Sequence, residues 1–366
     1  MTFELAAIII ALFFAMNIGA SGSAASMGAA YGAGAVKKRR AALLLVGAAL
    51  FAGAFVGSGE VVKTIGEGII PTNILSVEIT VVVLAAACVT LFLANVLGIP
   101  LSTSEVTVGS IVGAGIAYQS LYMGNIMIIL LIWLIFPFAA YGMTYVLGKM
   151  VPAAEKKLES IQDKAFVQKA LVVLLIAAGC YEAFSAGMNN VANAAGPLVG
   201  AGILEAGTAI LWGGLFVSLG AVLLGGKVLE TNAKKITDLS LLQGSLVSFT
   251  SGTLVLVASV FGMPVPLTQA TTMSIIGIGA SKSGMSLWKS AVVKRILLIW
   301  IISPVSSMVV SYLLIQTMIE KNGYSLIIVL GAVVMSFGYA SFIKPAKKKF
   351  KKNVVPIQNP SNPQQL

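Results

Sequence analysis

The sequence contains no histidine and only two cysteines, Cys88 and Cys180. Histidine is the usual metal ligand and the usual proton shuttle near neutral pH, so its absence removes both. The two cysteines lie far apart inside apolar runs, where we expect small core residues and neither a disulfide framework nor a metal cluster. Any proton chemistry must therefore use carboxylates, and we expect no cofactor and no resident metal.

Charge is scarce as well, because only 10% of the residues are charged and 58% are hydrophobic. A soluble domain has about 25% charged residues. Apolar runs of about 18 residues or more recur along nearly the whole chain, as expected of helices that cross a hydrocarbon core about 30 Å thick. We therefore predict an all-α polytopic membrane protein. The first run could be a signal peptide, but it carries Glu4 and no early Lys or Arg, so we interpret it as a retained span.

Basic clusters beside the apolar runs account for the net charge of +11. Short Lys/Arg clusters that flank apolar spans typically mark cytoplasmic loops, and we favour this interpretation over binding of nucleic acid. The protein is therefore expected in the plasma membrane with a cytoplasmic C-terminus. The clusters lie at 37–40, 149–169, 227–235, 282–295 and 344–352.

A charged linker at 148–169, predicted to be an amphipathic cytoplasmic helix, separates a first transmembrane repeat at 1–147 from a second at 170–343. Residues 344–366 form a basic and then polar, proline-rich tail that we expect to be disordered. Three pairs of segments match in the same order in the two halves, at offsets of 164 to 168. They are "MNIGASGSAASMGAAYG" with "FSAGMNNVANAAGPLVG", "GEVVKTIGEGI" with "GKVLETNAKKI", and "GIPLSTSEVTVGSIVGAG" with "GMPVPLTQATTMSIIGIG".

Basic loops of one half correspond to loops of the other half that have no Lys or Arg. By the positive-inside rule this predicts two inverted-topology repeats, a design of secondary transporters whose substrate site lies near the midplane between the halves. Short segments at 101–118 and 265–280 follow prolines, and we interpret them as half-helices or re-entrant hairpins, with broken helices and ten to twelve membrane crossings in total. The full spans are predicted near 3–20, 41–58, 77–98, 126–148, 168–186, 206–226, 240–261, 292–316 and 324–343.

Small and polar uncharged residues stand at matching positions of the two halves, where we expect breaks between helices that face a site. Small residues also allow close helix packing, and Asn and Ser also form hydrogen bonds between helices. Their repetition beside the two proline-led hairpins favours a binding site. The candidates are Ser21, Gly22 and Ser23, with Asn17 in support, and Asn189, Asn190 and Asn193.

The two hairpins add Ser102, Thr103 and Ser104 in "PLSTSE" and Thr268 in "PVPLTQ". Proline suits a first helical turn, and Ser and Thr cap helices. A helix N-terminus carries about half a positive charge, so such ends could bind an anion without Lys or Arg.

Glu105 is a functional candidate because a carboxylate on a membrane hairpin is costly. Its alternative role is a first-turn carboxylate that the helix dipole stabilises. Lys63 and Glu230 occupy equivalent positions with opposite sign, so they could form an ion pair or gate between the halves, or remain solvated charges at the interface.

The chain resembles the inorganic phosphate transporter (PiT) family, whose two halves each carry a "GANDVANA"-like signature and a proline-led "STTHA"-like hairpin. "NNVANAAGP" at 189–197 matches the second signature closely, and "NIGASGSAASMGAAYGAGA" matches the first more loosely. The resemblance covers nearly the whole chain. It also implies a homodimer, although the sequence itself carries no signal for oligomeric state.

The departures from the family pattern concern charge. The family aspartates, which the resemblance associates with phosphate and sodium, fall on Gly22 and Asn190, and the hairpin histidine falls on Glu105 and Gln269. A carboxylate can accept a hydrogen bond from the P–OH of phosphate, whereas sulfate has no such proton and would be repelled. The substitutions therefore point to sulfate, in agreement with a branch of the family that comprises bacterial sulfate permeases.

The leading hypothesis is a sulfate importer that works by alternating access, with Glu105 as proton carrier in preference to sodium coupling. Phosphate, molybdate, thiosulfate or selenate are alternative oxyanions, and a passive anion channel is the alternative from another class. An enzyme is disfavoured, because the sequence has no histidine and no recognisable nucleophile and base pair.

Overall fold

The computed structural model describes residues 2–97, 101–161, 164–233, 239–284 and 291–324, and the regular elements within these ranges are helices. A compact unit, Met1–Lys321, holds eleven of these helices, and the rest of the chain, Asn322–Leu366, is a separate unit. The helices are α1 (Thr2–Gly32), α2 (Arg39–Gly57), α3 (Gly59–Glu67), α4 (Val77–Leu97), α5 (Thr103–Ala117), α6 (Met123–Glu159), α7 (Lys164–Gly200), α8 (Ala206–Ala233), α9 (Leu241–Val260), α10 (Leu267–Ser283) and α11 (Ala291–Leu314), which continues as a π-helical turn, Ile315–Ile319.

Eight helices in the described ranges are long and apolar enough to cross a membrane, which confirms the predicted class. They are α1, α2, α4, α6, α7, α8, α9 and the segment Leu297–Ile319. The predicted span at 324–343 and the tail at 344–366 lie outside the described residues. Most of the linker predicted at 148–169 consists of the end of α6 and the beginning of α7.

Helices α5 and α10 are the short arms of two re-entrant hairpins. The backbone N–H of Tyr122, just after α5, donates to the carbonyl of Ile69, just before α4, at 3.0 Å. In the second hairpin, Nζ of Lys282 at the end of α10 donates to Oε1 of Gln243 at the start of α9 at 2.9 Å. Each hairpin therefore returns to the side from which it entered, as the prolines predicted.

Among the described helices of the first half, α1, α2 and α6 move the chain to the other side, whereas the α4–α5 hairpin does not. Because the chain crosses three times in the first half, α7 begins on the side opposite to α1. The second half therefore has the inverted topology. The helix packing has the same symmetry: α1 packs on α8 as α7 packs on α2, and α5 packs on α11 as α10 packs on α6. Exchanging the two halves therefore leaves the packing pattern unchanged.

Glycines allow the closest helix contacts in both halves. A Cβ on Gly19 would collide with the carbonyl of Val217 in α8, and one on Gly220 with the backbone of Met16 in α1. The repeat-related contact joins Gly53 of α2 to Phe184 of α7, and Gly187 to Leu50. Part of the small-residue pattern in the signatures thus serves helix packing, the alternative that the sequence left open.

Charged residues form polar contacts at both ends of the helix bundle. Arg39, at the start of α2, pairs with Glu230 near the end of α8 at 2.7 Å, and Ser240 bonds to Glu155 at 2.6 Å. At the opposite end the hydroxyl of Tyr118 donates to Glu320 at 2.8 Å. Burial, followed by this hydrogen bond and the charge of Glu320, raises the pKa of Tyr118 to about 12, so the bond persists at neutral pH.

Helix α7 is continuous from Lys164 to Gly200, so the break predicted around Asn189, Asn190 and Asn193 was wrong. A break does occur in the chain at Ser58, between α2 and α3. The asparagines sit on an unbroken helix because neighbouring protein groups, and not their own backbone, satisfy most of their side-chain amides.

Candidate functional site

The site centres on α7 where the first hairpin meets it. Oγ1 of Thr103 donates to Oδ1 of Asn190 at 3.1 Å, and Nδ2 of Asn193 lies 3.4 Å from Thr103 Oγ1 and from Ser104 Oγ. All four side chains are buried. Ser102 caps α5, since its Oγ accepts from the N–H of Glu105 at 3.4 Å, which holds the Ser/Thr turn against α7.

Asn189 joins the same helix to the second hairpin. Its Nδ2 donates to Ser259 Oγ at 3.0 Å and to the carbonyl of Met263 at 2.9 Å. Its Oδ1 accepts from the N–H of Val265 at 3.1 Å and from Ser104 Oγ at 3.4 Å. Both N–H groups of this amide are occupied, so in this conformation Asn189 positions the hairpins and has no donor left for an anion.

Asn190 and Asn193 keep unused hydrogen-bonding capacity. Within the described ranges, Nδ2 of Asn190 donates to no protein group, and Oδ1 of Asn193 is buried without a partner. An amide N–H that points at no protein acceptor is available to an anion. This donor stands where the family carries an aspartate.

Gly22, the repeat-related position on α1, is buried beside open space. A Cβ built on it would meet no atom within 4 Å. A buried residue with unfilled space in front of it leaves room for a small ligand. The neighbouring Ser21 is half-buried, as is Thr268 on the second hairpin.

The predicted ligand Ser23 and the predicted supporting or gate residue Asn17, both of the first half, bond elsewhere. Ser23 Oγ donates to the carbonyl of Ala20 at 2.9 Å and packs against Gly225 of α8, so its assignment to the anion site is corrected to a helix-packing position. Asn17 donates to the carbonyl of Phe13 at 2.9 Å and thereby bonds within its own helix.

Glu105 and Gln269 join the two hairpins at equivalent positions of the repeat. Gln269 Nε2 donates to Glu105 Oε1, and Oε2 of Glu105 is buried without a partner among the described residues. Glu105 is in the first turn of α5, but its side chain reaches across to α10. It is only 2% exposed, so an oxygen without a partner there can take up a proton.

Lys63 and Glu230 do not form the ion pair considered from the sequence. Glu230 pairs with Arg39, whereas Lys63 is an exposed residue of α3. Because α3 follows α2 across the bundle, Lys63 lies at the end opposite to Glu230. The interpretation as solvated interfacial charges fits both residues better than a gate.

Sequence reasoning missed Glu182, a carboxylate on α7 that is 0% exposed. Its Oε1 accepts from Ser251 Oγ at 2.9 Å and from Thr271 Oγ1 at 2.6 Å. The signal was present: Glu182 is the lone charge in "LVVLLIAAGCYEAFSAG", and a carboxylate inside a predicted span is a functional candidate by default.

As for metals, the described residues include no group of three or more His, Cys, Asp or Glu able to hold an ion.

Buried hydroxyl and amide groups between two re-entrant hairpins and two inverted helices define a membrane transporter. The phosphate transporter family profile matches residues 18–311, and the chain belongs to that family.

The chain is 51% identical over 346 residues to the sulfate permease CysP of Bacillus subtilis (strain 168), which covers 94% of this chain and 97% of that protein. It is 26% identical to a putative phosphate permease of Pyrococcus furiosus, over 86% of this chain and 97% of that protein. Its fold matches a solved sodium-dependent phosphate transporter with a TM-score of 0.75 at 25% identity, over 85% of this chain and 98% of the other. These similarities confirm the predicted family and its sulfate branch.

Proposed function

We propose that this protein imports sulfate across the plasma membrane, with protons as the coupling ion and by alternating access. The observation that carries the proposal is the free Nδ2 donor of Asn190, with open space at the equivalent Gly22. A site that offers donors and no carboxylate at these two positions suits an anion that has no proton to give. The 51% identity to a sulfate permease supports the same substrate.

In this proposal sulfate accepts hydrogen bonds from Nδ2 of Asn190 and from backbone N–H groups at the start of α5. The hydroxyls of Thr103 and Ser104, which donate to Asn190 and to the carbonyl of Val265 in this structure, turn toward the anion when it binds. The dipole of α5 adds to the attraction without a basic residue. Ser21 from the first repeat and Thr268 from the second, both half-buried, complete the site.

Coupling is required because each negative charge moved into a cell against 100 mV costs about 2.3 kcal/mol. Glu105 is the proposed proton carrier, since its Oε2 is buried without a partner among the described residues. A proton on this oxygen neutralises the carboxylate while the second oxygen keeps its bond to Gln269. Sodium is the alternative coupling ion.

Phosphate is the second candidate substrate, and the same Oε2 of Glu105 favours it. An acceptor on α5, next to Ser104, could receive the P–OH that sulfate lacks. The putative phosphate permeases among the relatives support this candidate at lower identity.

Uptake of labelled sulfate by a strain that lacks its own permease tests the substrate. We expect concentrative uptake that unlabelled sulfate blocks and a tenfold excess of phosphate leaves largely intact. Strong block by phosphate would favour the second candidate, and molybdate, thiosulfate and selenate in the same panel would reveal a wider oxyanion range. Equilibration without accumulation would instead indicate a passive channel.

A further inference from the structure

Glu182 is a buried carboxylate that the proposed anion site does not use. It lies in the middle of α7, about two turns before Asn189, and its Oε2 is buried without a partner among the described residues. Both partners of its Oε1 are hydroxyls of the second hairpin, Ser251 on α9 and Thr271 on α10. The carboxylate thus joins the anion-binding helix to a hairpin.

Each of these hydroxyls has a second acceptor within reach. Ser251 Oγ lies 2.6 Å from the carbonyl of Val247, and Thr271 Oγ1 lies 3.1 Å from that of Leu267. A hydroxyl has one proton, so it can donate either to Glu182 or to its own helix. An ionised Glu182 can receive both protons, and when Glu182 is protonated the hydroxyls can turn back to the helix carbonyls. Both protonation states are therefore accommodated without moving a helix.

The surroundings favour a proton over a metal ion. The oxygen–oxygen distances of 2.6 and 2.9 Å are those of direct hydrogen bonds between the carboxylate and the two hydroxyls. The charged residues of the helices packed on α7 lie near helix ends: Glu4 on α1, Arg39 and Arg40 on α2, Lys227 and Glu230 on α8, and Lys282 on α10, while α9 has none. The short helix α3 carries Glu60, Lys63 and Glu67, but it packs on the last turns of α7, at Gly196 and Gly200. The adjacent Tyr181 hydroxyl lies 3.2 Å from Thr253 Oγ1. No basic group in the described ranges therefore holds Glu182 permanently ionised.

The first repeat lacks this carboxylate. The position equivalent to Glu182, at the offset of the two signatures, is Phe14, which is fully buried. Helix α10 connects the two buried carboxylates, because Gln269 bonds to Glu105 and Thr271, two residues later, bonds to Glu182.

We propose that Glu182 binds a second proton, which travels with the anion in addition to the proton at Glu105. This rests on the proposed proton-coupled import of sulfate. The charges balance, because two protons and one sulfate dianion enter with no net charge. Both carboxylates are then neutral while sulfate is bound and the protein changes the side to which its site opens. Both are ionised after sulfate and the protons have been released.

The test is the proton-to-sulfate ratio of the purified full-length chain in liposomes. With the membrane potential clamped at zero and a pH difference of one unit, two protons balance a sulfate gradient of about 100-fold and one proton about 10-fold. We expect about 100-fold for the wild type and about 10-fold for Glu182→Gln. Glu159→Gln, which neutralises an exposed carboxylate on α6, is the matched control and should remain at about 100-fold.

A Glu182→Gln variant that still balances a sulfate gradient of about 100-fold overturns the proposal. If the wild type takes up sulfate but a pH difference has no effect on the uptake, the proposed proton coupling is wrong and this proposal fails with it. The proposed transport of sulfate would be unaffected by that result. If the Glu105→Gln variant still balances a sulfate gradient of about 100-fold, Glu105 is not a proton carrier, while the proposed role of Glu182 is unaffected.

A second pair of variants covers the case in which Glu182→Gln does not fold. Ser251→Ala combined with Thr271→Val removes two donors that stabilise the ionised carboxylate more than the protonated one, so the midpoint of sulfate uptake against pH should rise by about one unit. Restoring the hydroxyl with Thr271→Ser should return most of this shift. An unchanged midpoint in the double variant would overturn the proposal.

Discussion

Asn189 and Asn190 are neighbours in the sequence, but their side chains have different surroundings. Both amide hydrogens of Asn189 are bound to the second hairpin, at Ser259 and Met263. Asn190 contacts the first hairpin through its oxygen alone and keeps its nitrogen free among the described residues. One position therefore holds the hairpins in place, while the other keeps a donor for the proposed ligand.

Asn190→Asp is expected to weaken sulfate transport selectively. The new carboxylate has the same shape but repels a dianion, so we expect the KM for sulfate to rise roughly tenfold or more. Asn190→Leu, which removes the donor without adding charge, should have a smaller effect. Kinetics of labelled sulfate uptake check this, and an unchanged KM in the Asp variant would contradict a sulfate contact at Asn190.

Asn189→Leu is expected to destabilise the fold. The change leaves the N–H of Val265 and the part-buried carbonyl of Met263 without their side-chain partner, at about 1 to 3 kcal/mol for each unsatisfied group, while Ser259 keeps its bond to Val255. Thermal unfolding in detergent should show a clearly lower Tm for this variant than for Asn190→Leu. Equal Tm values would argue against the positioning role of Asn189.

At the scale of helices, the hairpins could be predicted from sequence and the continuity of α7 could not. Ser102 after Pro100 is a local signal for a helix start, and α5 begins where it predicts. A run of asparagines, by contrast, suggests a break only if nothing nearby satisfies the amides. Their partners on α5 and near α10 are 70 or more residues away in sequence, so local patterns carry no information about them.

The glycine contacts between α2 and α7 are expected to be sensitive to a single added methyl group. Gly53→Ala places a Cβ against the backbone of Phe184, which must move, at a cost of about 1 to 3 kcal/mol. Gly142→Ala in α6 meets nothing within 4 Å and is the matched control, which should leave stability unchanged or slightly higher. A comparison of Tm values tests the difference, and equal values would show that this contact is loose.

At the scale of the whole molecule, the repeat and its inversion could be predicted because charge and motif spacing extend over the full chain. The ligands could be predicted only in part. Ser23 belongs to the same motif as Gly22 but faces α8, and the sequence does not reveal which face of α1 points inward. Glu182 was missed because it lies outside both motifs. The homodimer stays a prediction.

The positive-inside rule predicts that the end of the bundle carrying Arg39 and Glu155 faces the cytoplasm. In a chain in which Cys88 and Cys180 are replaced by alanine, Ser160→Cys marks that end and Glu205→Cys marks the opposite loop. An impermeant thiol reagent should label Glu205→Cys in intact cells and Ser160→Cys only after permeabilisation. The reverse pattern would invert the assigned orientation.

The cross-repeat packing limits how the molecule can move. Helices α1 and α2 of the first half lie against α8 and α7 of the second, and glycine contacts hold both pairs closely together. The hairpin helices α5 and α10 pack on α11 and α6, again across the halves. The two halves are interlaced, so neither can rock as a rigid body against the other. The proposed alternating access therefore cannot be a rocking of one repeat on the other, and any moving body must contain helices of both halves.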